Sequence, residues 1–104
     1  MLYMCYGVDG PNGAALRELA REEHFLYLES KKDILVLGGA TLADESDART
    51  GSVLIINVPD RAAADAFAEG EPLRKAGVFA SYTVTRMRRG QWNPGVAPET
   101  AEGA

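Results

Sequence analysis

Gly51-Ser52-Val53-Leu54-Ile55-Ile56-Asn57-Val58 is the strongest strand candidate in the chain. Its aliphatic centre, mostly β-branched, favours extended backbone, and Pro59-Asp60 stops it. Upstream, Ala43 to Thr50 is polar and acidic, which suits a loop between two antiparallel strands. The strand before that loop is Ile34-Leu35-Val36-Leu37, and Gly38-Gly39 is expected to close or bulge it. Downstream, Asp60 suits the N-cap of a helix over Arg61 to Glu69, where Ala62, Ala63, Ala66 and Phe67 recur at helical spacing. Gly70-Glu71-Pro72 breaks that helix, and Leu73 to Ala76 makes one further turn ended by Gly77.

The flanks complete the order. Leu2 to Val8 is an apolar strand ended by the turn residues Asp9-Gly10-Pro11-Asn12-Gly13, with Asn12 as an expected helix cap. Gly13 to Lys32 holds neither proline nor internal glycine and is predicted helical, with Lys31 and Lys32 in the last turn. On a wheel of about 100° per residue, Leu16, Leu19, Ala20, Leu26 and Tyr27 share a side. That wheel puts His24 at the border of the apolar stripe and Glu23 inside it. Phe79 to Arg89 is the last strand, with Tyr82, Val84, Arg86 and Arg88 on one face. The order β-α-β-β-α-β predicts a ferredoxin-like α+β fold, a four-stranded antiparallel sheet with both helices on one face. The strands are apolar on both sides, so a homodimer covering the open face is expected. Residues 1–90 read as one domain. Residues 91–104, with Pro94, Gly95, Pro98 and Gly103, read as an arm or disordered tail.

The chain has 104 residues and a net charge of −4, which argues against a nucleic-acid or anionic-membrane surface. Met1-Leu2-Tyr3-Met4 opens directly in a strand-like run, and no run reaches the roughly 18 apolar residues of a membrane span, so neither leader nor anchor is expected. The single cysteine, Cys5, reads as a buried hydrophobe in a reducing compartment, and a cytoplasmic location follows as the expectation. Zinc-type ligand spacing, a phosphate-cradling glycine loop and a nicotinamide or flavin fingerprint are all missing from the sequence, and no cofactor is expected.

Several separated stretches together are similar to the YciI-like family. They are the opening strand, Arg21-x-x-His24 with Tyr27-Leu28, Leu37-Gly38-Gly39, Gly51-Ser52, and Glu71-Pro72-x-x-Lys75-Ala76-Gly77-Val78-Phe79. The likeness spans Met1 to Arg89. It implies a ferredoxin-like fold that pairs sheet to sheet as a dimeric α+β barrel. It also implies an active site built from His24 and an acidic residue before the proline of the short turn. That residue is typically aspartate in the family; here it is Glu71, whose extra methylene moves the carboxylate by about one carbon–carbon bond. Position 73, often aromatic in the family, is Leu73. One characterised branch eliminates chloride from a chlorinated hydroxyquinol, so a lyase is the activity implied by analogy.

A histidine beside a carboxylate is a sensible acid–base pair, because the carboxylate fixes the tautomer and raises the basicity of the ring. A packed or solvated helix histidine, and a helix-end carboxylate, are the plain alternatives. Arg21, one turn before His24, suits a substrate carboxylate or phenolate, or else an exposed ion pair with Glu18 or Glu22. Ser52 suits a hydrogen bond to substrate or to Glu23, or simply starts a strand. Glu23 needs a partner, a wet cavity or an interface. The leading expectation is a cofactor-independent enzyme acting by proton transfer on a cyclic oxygenated small molecule. The alternatives are a non-catalytic dimeric module for a small ligand or partner protein, and a haem-binding monooxygenase-like dimer.

Overall fold

In a computed structural model, which describes residues 1–103, the aliphatic run 53–56 lies in an inner strand of a four-stranded sheet. The elements are β1 (Leu2–Asp9), α1 (Gly13–Ser30), β2 (Leu35–Leu42), β3 (Arg49–Asn57), α2 (Arg61–Gly70), α3 (Pro72–Lys75) and β4 (Phe79–Met87). A short 3-10 turn, Pro94–Val96, follows the sheet. The strand order is β2-β3-β1-β4, with every pairing antiparallel. This is the ferredoxin-like α+β arrangement. Its inner strands are β3 and β1, and the basic Arg86 falls on the edge strand β4, where charge discourages edge-to-edge pairing.

Alternation along the strands sets the core. Tyr3 and Cys5 of β1 stand opposite Ile56 and Leu54 of β3, and all four are buried against Ala64 and Phe67 of α2. A second cluster of Ala20, Leu73 and Val78 ties α1 to α3 and the start of β4. Asp60 caps α2, its side chain accepting the Ala63 N–H at 2.8 Å. Leu2, Met4, Tyr6 and Val8 of β1, with Val53 and Ile55 of β3, lie on the sheet face turned away from the helices.

Local expectations need correction in four places. Asn12 precedes α1 but makes no side-chain cap bond. The helix ends at Ser30 with the Lys31 N–H bonded to the Leu28 carbonyl, so Lys31 and Lys32 lie past its last turn. β2 runs through Gly38-Gly39 to Leu42. Gly38 makes room rather than ending the strand: a Cβ there would sit 2.7 Å from the Leu54 side chain. The bulge that the glycines suggested falls two residues before them, between Leu35 and Leu37. The last strand ends at Met87 rather than Arg89.

The inward stripe of α1 is also rotated from the expected one. Gly13, Leu16, Arg17, Ala20, His24, Tyr27 and Leu28 face the sheet, while Leu19 (84%) and Leu26 (59%) stand exposed. His24 is therefore near the centre of the stripe, and Glu23 lies outside it. The hydropathy wheel counted apolar side chains and could not foresee Arg17. That guanidinium is drawn inward by both Asp9 carboxylate oxygens at 2.8 Å and by the Gly51 carbonyl at 2.8 Å.

Tyr82 faces the core from β4, and its buried hydroxyl has no hydrogen-bond partner among the described residues. Burial pushes the phenol well above its ordinary range, with the nearby Cys5 and Glu71 adding to the shift. A raised phenol contributes stability that is fully present below its unfolded pKa of about 10 and is lost as pH rises above that value. Tyr82→Phe is expected to keep or raise stability at neutral pH, by up to about 1 kcal/mol, because it removes a desolvated hydroxyl. It should also flatten the loss of stability between roughly pH 10 and 11. Urea unfolding of both proteins across that range checks this, and an equally steep alkaline loss in the variant contradicts it.

Candidate active site

The site begins with a short break in the chain. Pro72 opens α3, and Glu71 just before it is the N-cap. The Glu71 side chain turns back so that the Leu73 N–H donates to Oε1 at 3.2 Å and the Arg74 N–H donates to Oε2 at 3.1 Å. These bonds satisfy two helix-end donors and hold the carboxylate still. Glu71 is only 1% exposed, so its remaining lone pairs need a partner. His24 supplies it, with Nδ1 in direct hydrogen-bond contact with Oε1 across 47 positions of sequence. With Nδ1 donating to the carboxylate, Nε2 is the ring nitrogen left free to exchange a proton.

The imidazole lines a cleft of about 450 Å³ between α1 and the β2–β3 edge of the sheet. Leu28, Phe25, Leu54 and Leu73 form its apolar part; Arg17, Arg21, Arg49 and Ser52 are polar contributors with His24, and among the described residues Glu18 is the one carboxylate on the lining. Gly38, Gly39 and Ala40 give β2 a nearly bare wall. A flat wall of this kind leaves room for a planar ring beside the imidazole. Below the site, the Tyr27 hydroxyl donates to the Phe67 carbonyl at 2.9 Å, and burial, reinforced by the Glu71 charge, pushes the Tyr27 phenol up. Tyr27 is thus a neutral prop for the floor of the site.

Of the residues expected from sequence, the fold brings His24, Arg21 and Ser52 to one cleft and puts Glu71 directly beneath the imidazole. Arg21 has no salt bridge within 4.0 Å to Glu18 or Glu22, so the expected exposed pair is not formed. Glu23 is placed elsewhere. It is exposed and borders a separate shallow depression with Leu19, Pro72 and Lys75, and Ser52 does not meet it. The rotation of α1 described above is the cause. Arg17, Arg49 and Phe25 line the cleft without having been singled out. The sequence signal for Arg17 was its spacing, two turns before His24 on the same face; for Arg49 there was none.

The family model of the YCII-related domain matches residues 1–88, nearly the whole sheet-and-helix unit that carries this site. The chain belongs to the YCII-related family. None of the curated proteins matches it. Among solved structures, this YCII-related chain is similar to 5-chloro-2-hydroxyhydroquinone dehydrochlorinase (TftG) from Burkholderia phenoliruptrix AC1100, in complex with 2,5-dihydroxybenzoquinone. The two share 33% identity over 86% of this chain and 96% of the other, with a TM-score of 0.80. In this YCII-related protein the extra methylene of Glu71 does not separate the pair: the carboxylate reaches the imidazole while still capping α3.

Removing one partner of a buried pair leaves the other unsatisfied, which typically costs about 3 kcal/mol. His24→Ala is expected to lose stability on that scale, since Glu71 keeps only its two backbone donors. The double variant His24→Ala/Glu71→Gln should be more stable than His24→Ala alone, because the amide is cheaper to leave buried. Urea midpoints for the wild type, both single variants and the double variant test the coupling; purely additive losses would deny it.

Proposed function

We propose that this chain is a small cofactor-independent enzyme that acts by proton transfer on a cyclic, oxygenated small molecule, by elimination or isomerisation. The carrying observation is the His24–Glu71 contact at the base of the cleft. In the proposed step Nε2 of His24 removes a proton from a ring carbon or hydroxyl. The Glu71 carboxylate stabilises the imidazolium that forms, without itself taking the proton. In an elimination the electron pair of the broken bond moves into the ring and the leaving group departs as an anion. His24 then releases its proton to water, so H⁺ and the anion are the two by-products. The apolar lining of Leu28 and Leu73 keeps the exchange partly dry, and Ser52 and Arg21 are proposed to hold ring oxygens. TftG supports an oxygenated ring as the substrate class, since that neighbour is named for such a compound and was solved with a dihydroxybenzoquinone.

The test is a panel of halogenated and unhalogenated hydroquinones, read by halide release and by ultraviolet absorbance. His24→Asn is expected to lower turnover by about a hundredfold or more, with KM changed far less. Saturable binding across the panel without turnover would instead make the protein a ligand-binding module.

The open apolar sheet face supports a second proposal, that two copies pack sheet to sheet. Light scattering at micromolar concentration should give about twice the 11.2 kDa chain mass, and Ile55→Lys should shift it toward the monomer. A monomeric wild type removes the proposal. A cytoplasmic location remains part of the same reading; among the described residues no helix is long and apolar enough to cross a membrane.

A further inference from the structure

Arg49 reaches the cleft through a fault in the sheet. On β3, Ser52, Leu54 and Ile56 face the helices, so strict alternation would turn position 49 to the far side with Gly51. The β2–β3 register instead passes from Thr41 opposite Gly51 to Leu42 opposite Arg49, which leaves Thr50 as an extra residue. A bulge of this kind re-aims the side chains beyond it. The Thr50 hydroxyl is hydrogen-bonded to that of Thr41 at 2.8 Å, which fixes the bulged residue on the far side. The backbone is tight here as well: a Cβ on Gly51 would lie 2.4 Å from the Gly7 carbonyl oxygen. Arg49 thereby joins the lining of the His24 cleft.

The charges around it do not cancel. Arg17 is answered by Asp9. Neither Arg21 nor Arg49 has a salt bridge or a side-chain hydrogen bond among the described residues. Among the described residues Glu18 is the only carboxylate on the lining, and it pairs with neither. A chain of net charge −4 thus concentrates unspent guanidinium charge in the cleft that holds its single histidine.

We propose that Arg49 and Arg21 form an anion clamp, so that the substrate is a ring already carrying an ionised oxygen, a phenolate, enolate or carboxylate. This inference rests on the ring-substrate reading above and narrows it. The guanidinium groups bind the anionic oxygen, and the ring is thereby turned to present its reacting position to His24. Arg49 is a specificity residue, and neutral rings of the same shape are poor ligands.

The experiment uses the full chain and two probes, 2,5-dihydroxybenzoquinone, which is ionised at neutral pH, and its uncharged dimethyl ether. Affinities are measured by calorimetry for the wild type, Arg49→Gln, Arg49→Lys, Arg21→Gln and a distant control, Arg88→Gln, at low and high salt. The wild type is expected to prefer the anion by about tenfold or more, and Arg49→Gln to lose about tenfold for the anion alone. Arg49→Lys should recover part of the loss, and added salt should weaken the anion only. Equal affinity for the two probes overturns the clamp, as does an equal loss in Arg88→Gln, or binding of neither probe. The two readings fail separately. A charge preference that survives in a protein with no turnover keeps the clamp and removes the enzyme. Turnover that needs His24 but is indifferent in KM and affinity to Arg49→Gln keeps the enzyme and removes the clamp.

Discussion

A buried carboxylate is the constraint on which the rest of this structure depends. Glu71 is out of water, and an ionised carboxylate there is tolerable only if its lone pairs are taken up. Two of the donors are local, the N–H groups of Leu73 and Arg74 at the start of α3. The third is His24, which must come from α1. Satisfying Glu71 therefore fixes how α1 lies on α3 and at what rotation. The buried contacts of Ala20 with Leu73 and Val78 are the apolar half of the same junction. One side chain serves as helix cap and as interhelix tie, and it orients the imidazole that the proposed chemistry uses.

The cleft above this pair follows from what the edge of the sheet lacks. Gly38 keeps the β2 wall bare, and its missing side chain also gives Leu54 its place in the core. Arg17 closes one end, already neutralised by Asp9, so it packs there mainly as a structural strut between α1, β1 and β3. Arg21 and Arg49, which have no salt bridge among the described residues, are the two proposed to meet a ligand. This division of labour among three arginines could not be guessed from their common charge, because it is set by which carboxylates lie within reach.

The sheet has two faces of unlike fate. The inward one is closed by α1 and α2, with Tyr3, Cys5, Leu54 and Ile56 fully sequestered and the Cys5 thiol pushed up by burial. The outward one carries apolar residues that are only partly buried among the described residues. Beyond Met87 the chain leaves the sheet, and Arg89 stacks over the Trp92 ring at 5.0 Å. These residues lie past the 1–88 span matched by the family. Ala104, the end of the expected tail, lies outside the described residues.

The sequence by itself determined the elements and their order. Runs such as Val53-Leu54-Ile55-Ile56, the stop at Pro59-Asp60 and the Asp60 cap are local signals, and local backbone preference decides them. It also carried the likeness that pointed to His24 and Glu71, residues 47 positions apart whose contact no spacing rule predicts. Tertiary structure alone decided the rotation of α1. The wheel preferred Leu19 and Leu26, but the ion pair of Arg17 with Asp9 and the need of Glu71 for His24 turned a more polar face inward. It alone placed Arg49, because a bulge is a property of how two strands pair and not of either strand's composition. Propensity acts within a few residues, whereas burial and charge pairing act between elements. What depended on the second kind of interaction became readable only once the elements had been packed together.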